Sequence, residues 1–341
     1  MSKQSEIHTR KDDHLAINTR QDVRSGILNG LENYHFAHNA LPEIDLAEVD
    51  CRITFFQKEL SFPLLISSMT GGTTAARQIN RSLAEAAQHF NIAMGVGSQR
   101  IGLEHPQQMD TFKVRKIAPD ILLFANLGAI QLNYGYSIEH CKAAVDALEA
   151  NALILHLNPL QEALMENGNT NFKDLLKRIG QVCRELPVPV VVKEVGWGIN
   201  SGTARRLIEA GVSAIDVAGA GGTSWSEVEK HRGSNEIMNA AAGAFRSWGI
   251  PTAQCLREIH AALPNAVIIA SGGITDGIEI GKCLALGASL VGMAGPLLRA
   301  VMQSEDALRQ TIEVLKQQLR LCMFTTGSRS IAELRQGKLM G

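Results

Sequence analysis

The segment HLNPLQE (156–162) sets His156 and Asn158 two residues apart, with Gln161 and Glu162 in the turn that follows. Residues two apart on a strand share a face, so the imidazole and the first amide would project to the same side. Such a group can grip a phosphorylated ligand. Glu162 can add a Mg²⁺ site, because that ion takes one or two carboxylates together with phosphate oxygens and water. On spacing alone the metal rests on this single carboxylate, and a lone glutamate in a turn is far more often simply solvated. Arg100 closes GVGSQR (95–100), and Arg10 and Lys11 sit in a charged N-terminal run. All three are candidate phosphate clamps, although a charged terminal arm is commonly just solvated.

Paired glycines point to a second anion. SGGITDG (271–277) and GMAGP (292–296) each follow a short apolar run. Gly272 and Gly273 let the backbone approach an anion, Asp276 or Thr275 can cap the next helix, and Ala294 and Gly295 offer N–H donors. One such turn alone could be no more than a tight connection; two in succession point to phosphate. Lys193 ends the run VPVVVKEV, where its charge is costly unless it faces a carboxylate such as Glu194 or a ligand. A cation there would stabilise a reduced flavin at its N1–C2=O edge. Ser68, Met69, Thr70, Ser98, Asn126 and Thr223 stand at other run ends and could line the same ring.

These positions are the tips of eight apolar runs: SSMTGG, GVGSQR, NLGA, HLNPLQE, KEVGWG, AGAGGTSW, ASGGI and GMAGP. Runs such as ALILHLN and AVIIASGG are apolar throughout, as strands covered on both faces are. Between them, Ile79, Leu83, Ala87 and Phe90 step by three or four residues, as do Ile138, Cys141, Val145 and Leu148, and Leu175, Ile179, Val182 and Leu186. Each set paints one stripe of a helix. The alternation predicts an α/β fold, a closed parallel (β/α)₈ or TIM barrel whose polar tips converge on one mouth. Such a barrel takes about 250 residues. We therefore expect it over 61–302, with an N-terminal arm over 1–60 and a helical tail over 303–341, all in one domain. Leu308, Ile312, Leu315, Leu319 and Met323 mark the tail's apolar face. The stretch 226–250 has no such pattern and is expected to be a long loop at the edge of the site.

Composition narrows the class. The formal net charge of −1 and 45% apolar content suit a globular enzyme and argue against a nucleic-acid or membrane surface. The six cysteines show no CxxC spacing, so buried free thiols are expected rather than disulfides or zinc. The first residues are polar and no apolar run approaches the ~20 residues of a membrane span, so a cytoplasmic protein is expected.

In order along the chain, RKDDH (10–14), SMTGG, VGSQR, HLNPLQE, KEVGWG, GAGGTSW, ASGGI and GMAGP resemble the type 2 isopentenyl-diphosphate isomerases, an FMN-dependent family of TIM barrels. The resemblance spans essentially the whole chain. It implies interconversion of isopentenyl and dimethylallyl diphosphates, without net redox change, after NADPH has reduced the flavin. It places FMN on Ser68, Met69, Thr70, Ser98, Asn126, Lys193, Thr223, Gly272, Gly273, Ala294 and Gly295. Substrate contacts fall on Arg10, Lys11, Ser98, Arg100, His156, Asn158 and Gln161, and Mg²⁺ on Glu162. Gln161 would orient substrate or relay a proton beside flavin N5. The resemblance also implies a homo-oligomer, a tetramer or an octamer.

Two other classes compete. A 2-hydroxy-acid oxidase shares the lysine and glycine turns, but needs a histidine and an arginine after strand six, where this chain has GAGGTSW (219–225). A non-catalytic flavin-binding protein would have no use for Arg100, Gln161 and Glu162 together.

Overall fold

The structure, a computed structural model, describes residues 13–337 and 339–341. Eight short strands carry the apolar runs: β1 (Leu64–Ile66), β2 (Ala93–Gly95), β3 (Leu123–Gly128), β4 (Ala152–His156), β5 (Val190–Lys193), β6 (Ala214–Asp216), β7 (Ile268–Ala270) and β8 (Leu290–Met293). All pair in parallel with their sequence neighbours, and β8 closes on β1 through Val291 opposite Leu64. Every strand residue except His156 is buried. Walls and helices cover both faces, which is why the runs could be apolar throughout.

The helices follow the stripes. Thr74–Phe90 buries Ile79, Leu83, Ala87 and Phe90, starts at a Thr73 cap on the Ala76 amide, and stops at Asn91 in the left-handed region. Ile138–Asp146 and Leu175–Glu185 bury their expected faces in the same way. The tail is broken at Ser304, which caps the Ala307 amide and separates Gly295–Gln303 from Glu305–Thr325. The second of these buries Leu308, Ile312, Leu315, Leu319 and Met323. All six cysteines are free; five are buried and Cys183 is half-buried.

Two small sheets fasten the ends of the chain. Ile53–Phe55 and Lys58–Leu60 form a hairpin whose two turn residues, Phe56 (φ 44°) and Gln57 (φ 63°), both take left-handed backbone. That is the turn geometry that matches strand twist. Its Phe55 and Leu60 pack on Leu65, Phe124, Ile154 and Val191 and plug the amino-terminal end of the barrel. At the other small sheet, His35–Phe36 pairs with Leu339–Met340 and ties the arm to the tail.

The expected long loop is instead two helices, Trp225–Arg232 and Glu236–Ala244. The first buries Ser226, Glu227, Val228 and Glu229. Polar residues on the inner face erase the apolar period by which a helix is recognised.

The hairpin plug sets a stability expectation. Phe55→Ala should cost about 3–5 kcal/mol through lost burial and an unfilled cavity, read as a lower urea midpoint, while ligand affinity at the opposite mouth stays unchanged.

Candidate active site

The strand tips enclose a cavity of about 760 Å³ at the carboxyl-terminal mouth. This lies within the range of about 300–1,000 Å³ usual for cofactor and small-molecule sites. Ser68, Met69 and Thr70 line it from β1, Ser98 and Arg100 from β2, and Asn126 from β3. His156, Asn158, Gln161 and Glu162 enter from β4, Lys193 from β5 and Thr223 from β6. Gly272 and Gly273 line it after β7, and Ala294 and Gly295 after β8. Arg10 and Lys11 lie outside the described residues.

Lys193 is paired, but with Asp216 and not with Glu194. Its Nζ stands 3.2 Å from Asp216 Oδ2 and donates to Ser271 Oγ at 3.3 Å, while Ser271 Oγ donates to Asp216 Oδ1 at 2.6 Å. Lys193 and Asp216 are register partners on adjacent strands, which puts the charges side by side. Glu194 turns into its own loop instead, where its Oε2 accepts the amides of Val195, Gly196 and Trp197. Burial pushes its carboxyl up to about 7 against the pull of those amides.

The glycine turns leave backbone amides open. Gly272 (φ 108°) and Gly273 (φ 75°) take left-handed backbone. A Cβ on Gly272 would stand 2.1 Å from the Gly219 carbonyl oxygen, so the packing admits only glycine. The amides of Gly272, Gly273, Ala294 and Gly295 have no acceptor among the described residues. Asp276 caps the helix Gly277–Ala285 by accepting from the Ile278 and Glu279 amides. Ser67 Oγ and Ser68 Oγ, both from residues lining the cavity, are also buried without a partner among the described residues. Open amides at one end and a buried cation at the other fit the phosphate and the ring of FMN.

The β4 side forms a second cluster. His156 Nδ1 lies 2.9 Å from Asn126 Oδ1, which fixes the ring. Asn158 Nδ2 donates to both Gln161 Oε1 and Glu162 Oε1 at 3.1 Å. Glu162 is buried rather than solvated, and its Oε2 accepts from the Asn169 amide at 2.6 Å. Asn158 Oδ1 is buried without a partner among the described residues. Among the described residues no three His, Cys, Asp or Glu side chains converge as a metal cage. One carboxylate and one open amide oxygen suit Mg²⁺ only as an ion shared with substrate phosphates. Arg100 is held at the rim by Glu104, through Nε–H to Oε1 at 2.8 Å.

Sequence reasoning missed the group behind Gln161. Gln161 Nε2 donates to Glu229 Oε1 at 2.9 Å, His14 Nε2 reaches the same oxygen at 3.0 Å, and Arg232 Nε donates to Oε2 at 2.8 Å. Burial alone would raise the Glu229 pKa. The hydrogen bond and charge of His14, then Gln161 and Arg232, outweigh it and hold the carboxyl at about 2. The ring of His14 also packs edge-on against Trp225, 5.1 Å between centroids. No motif spacing announces this cluster; the one available sign was a charged segment following the β6 tip.

A closed parallel barrel with open glycine-turn amides after β7 and β8 and a lysine on β5 belongs to a recognisable class. The sequence model of the FMN-dependent dehydrogenase family matches residues 139–340. Solved structures of mandelate oxidase, one with (S)-2-phenylpropionate and one with 3,3-difluoro-2-hydroxy-3-phenylpropionic acid, superpose with TM-scores of 0.66 and 0.65 at 19% identity. Each covers 98% of this chain, with 97% and 98% of the oxidase chains matched. At that identity they speak to the fold alone. The isopentenyl-diphosphate delta-isomerase of Nostoc sp. is 50% identical over 335 residues, covering 98% of this chain and 96% of the relative. That of Rickettsia bellii is 48% identical over 330 residues, covering 97% and 96%. The chain belongs to the isopentenyl-diphosphate delta-isomerase family, within the FMN-dependent dehydrogenases.

Glu229 gives the site a pH signature. Its pKa falls from 4.5 to about 2 on folding, so its contribution is complete above pH 4.5 and disappears as pH drops towards 2. Glu229→Gln should lack this term. Between those limits urea titrations should show the wild type losing on the order of 3 kcal/mol more than the variant.

Proposed function

We propose that this protein interconverts isopentenyl diphosphate and dimethylallyl diphosphate on an FMN cofactor bound at the barrel mouth. The observation that carries this reading is the meeting, in one cavity, of a flavin-type cradle with a separate polar cluster at Arg100, His156, Asn158, Gln161 and Glu162. Near-full-length identity to isomerases supports it.

Moving a double bond by one carbon needs a proton delivered to one carbon and removed from another. An unactivated alkene is a poor base, so a strong acid and a means of stabilising developing positive charge are both required. Reduced FMN, when bound, supplies a proton-bearing N5 and an electron-rich ring beside such a charge.

The protein's own groups do the rest. The amides of Gly272, Gly273, Ala294 and Gly295 hold the cofactor phosphate, and Lys193 balances negative charge on the ring. Ser68, Met69, Thr70, Ser98, Asn126 and Thr223 would line the site of the ring. Arg100, Ser98, His156 and Asn158 grip the substrate diphosphate, with Arg10 and Lys11 of the arm as further clamps. Glu162 and the Asn158 oxygen would hold Mg²⁺, which would neutralise charge on the diphosphate. Gln161 is locked at both ends of its amide, by Asn158 and by Glu229. An amide barely titrates, so its part is to orient the substrate or pass a proton, with ionised Glu229 as the titratable group behind it. We place the enzyme in the cytoplasm as a homo-oligomer, a tetramer or octamer, with NADPH as the reductant.

The decisive assay is anaerobic, with FMN, NADPH, Mg²⁺ and isopentenyl diphosphate, following dimethylallyl diphosphate by product analysis. Many turnovers with only trace NADPH consumed are expected; a flavin spectrum without product would overturn the isomerase reading. Gln161→Asn should lower kcat far more than it changes FMN affinity. Equal losses in both would remove Gln161 from the chemistry.

A further inference from the structure

The phosphate turn after β7 is shaped from outside the barrel, and one of its supports comes from the N-terminal arm. Asn29 is buried, 244 residues away in sequence from the turn it touches. Its Nδ2 donates to the Gly273 carbonyl at 2.9 Å and to Glu279 Oε1 at 3.2 Å. Its Oδ1 accepts the Leu31 amide at 2.9 Å, and its own carbonyl accepts the Ala253 amide at 2.9 Å. Every polar atom of the side chain is therefore engaged, and the backbone is fixed as well.

The consequence lies in which way the turn faces. Thr252 Oγ1 donates to the Gly272 carbonyl at 2.6 Å, and Asn29 donates to that of Gly273. A trans peptide unit points its carbonyl and the N–H of the next residue in opposite directions. Drawing the Gly272 and Gly273 carbonyls to buried donors therefore turns the Gly273 and Ile274 amides the other way. Neither amide has an acceptor among the described residues, and both residues line the cavity. Glu279 is restrained in the same arrangement. Its Oε2 accepts the Thr275 amide at 2.7 Å and the Thr275 hydroxyl at 3.0 Å, while Asn29 holds its Oε1. Without Asn29, a carboxylate close to an anion site would lose one of its donors, and the Gly273 carbonyl would be free to rotate towards the phosphate.

We propose that Asn29 is a positioning residue for the cofactor phosphate: the arm holds the Gly272–Gly273 turn in its anion-binding orientation and keeps Glu279 turned away. This rests on the flavin reading given under the proposed function. It predicts an effect specific to the phosphate, which a merely structural role would not produce.

The experiment compares FMN with riboflavin, which lacks the phosphate, by flavin fluorescence titration of flavin-free protein in wild type, Asn29→Asp and Asn29→Ala. Asn29→Asp keeps the size and the acceptor for Leu31 but removes both donor contacts and adds a charge. Asn29→Leu, neutral and of similar size, is therefore titrated beside it, to separate the lost donors from the added repulsion and to test the idea where Asn29→Ala fails to fold. Wild type should bind FMN much more tightly than riboflavin. Each variant should weaken FMN by about tenfold, the scale of one lost hydrogen bond to a buried acceptor, and shift riboflavin by less than about threefold. Parallel loss of both ligands, or an unchanged FMN-to-riboflavin ratio, would overturn the role of Asn29. A wild type that binds the two flavins equally would instead bring down the phosphate assignment on which the role depends.

Discussion

The Lys193–Asp216 pair is the constraint around which the mouth is built. An ammonium at the tip of a closed barrel is tolerated only with a counter-charge and satisfied hydrogen bonds. Parallel register supplies the partner: Lys193 and Asp216 stand opposite one another on β5 and β6, and Ser271, just past β7, bridges both. Three consecutive strand ends are thereby committed to one network. Holding the cation on the cavity wall leaves one end of the mouth suited to negative charge in a ring. The next two tips, with their open amides, then fall at the far end, where a phosphate would sit.

The N-terminal arm completes what the barrel begins. A helix over 13–20 brings His14 to Glu229, and the chain then runs along the β6 tip. There the Ser224 amide donates to the Val23 carbonyl and the Ser25 amide to the Gly222 carbonyl, both at 2.7 Å. Asn29 follows on the β7 turn. One segment thus touches the Gln161 side and the phosphate side of the same cavity. Buried Val23 and Leu31 anchor the same segment, so the arm is held by directional bonds and by apolar burial together.

The likeness to mandelate oxidases shows how far fold and chemistry separate. The same barrel is shared at 19% identity, yet the tip after β6 in this chain is Gly221–Gly222–Thr223, leading into a helix whose buried acid serves Gln161. Function is carried by the loops grafted on the strands. In the function we propose, the distinctive chemistry of this chain lies at β4 and in the Trp225–Arg232 helix.

Much of this was legible along the chain, because barrel strands and their helices announce themselves by local pattern. Period-2 rules do not apply to strands buried on both faces, so the apolar runs stood out whole; the stripes at Ile79–Phe90 and Leu308–Met323 then set the helices. Gly272 and Gly273 were readable because only glycine takes that backbone against Gly219 and Gly221. The partners were not readable. Asp216 rather than Glu194 faces Lys193 because register, not sequence adjacency, decides which side chains meet. Glu162 is buried because the Asn169 amide folds back onto it. The helix carrying Glu229 hides polar residues inside, and such a face has no period to detect. Asn29 reaches Gly273 across most of the chain. Sequence alone determined the strands, the helices that carry an apolar stripe and the residue types at each tip, since these follow from local burial and backbone preference. Only the closed barrel and its arm decided which buried charges and donors would answer one another, because hydrogen bonds and ion pairs form between neighbours in space.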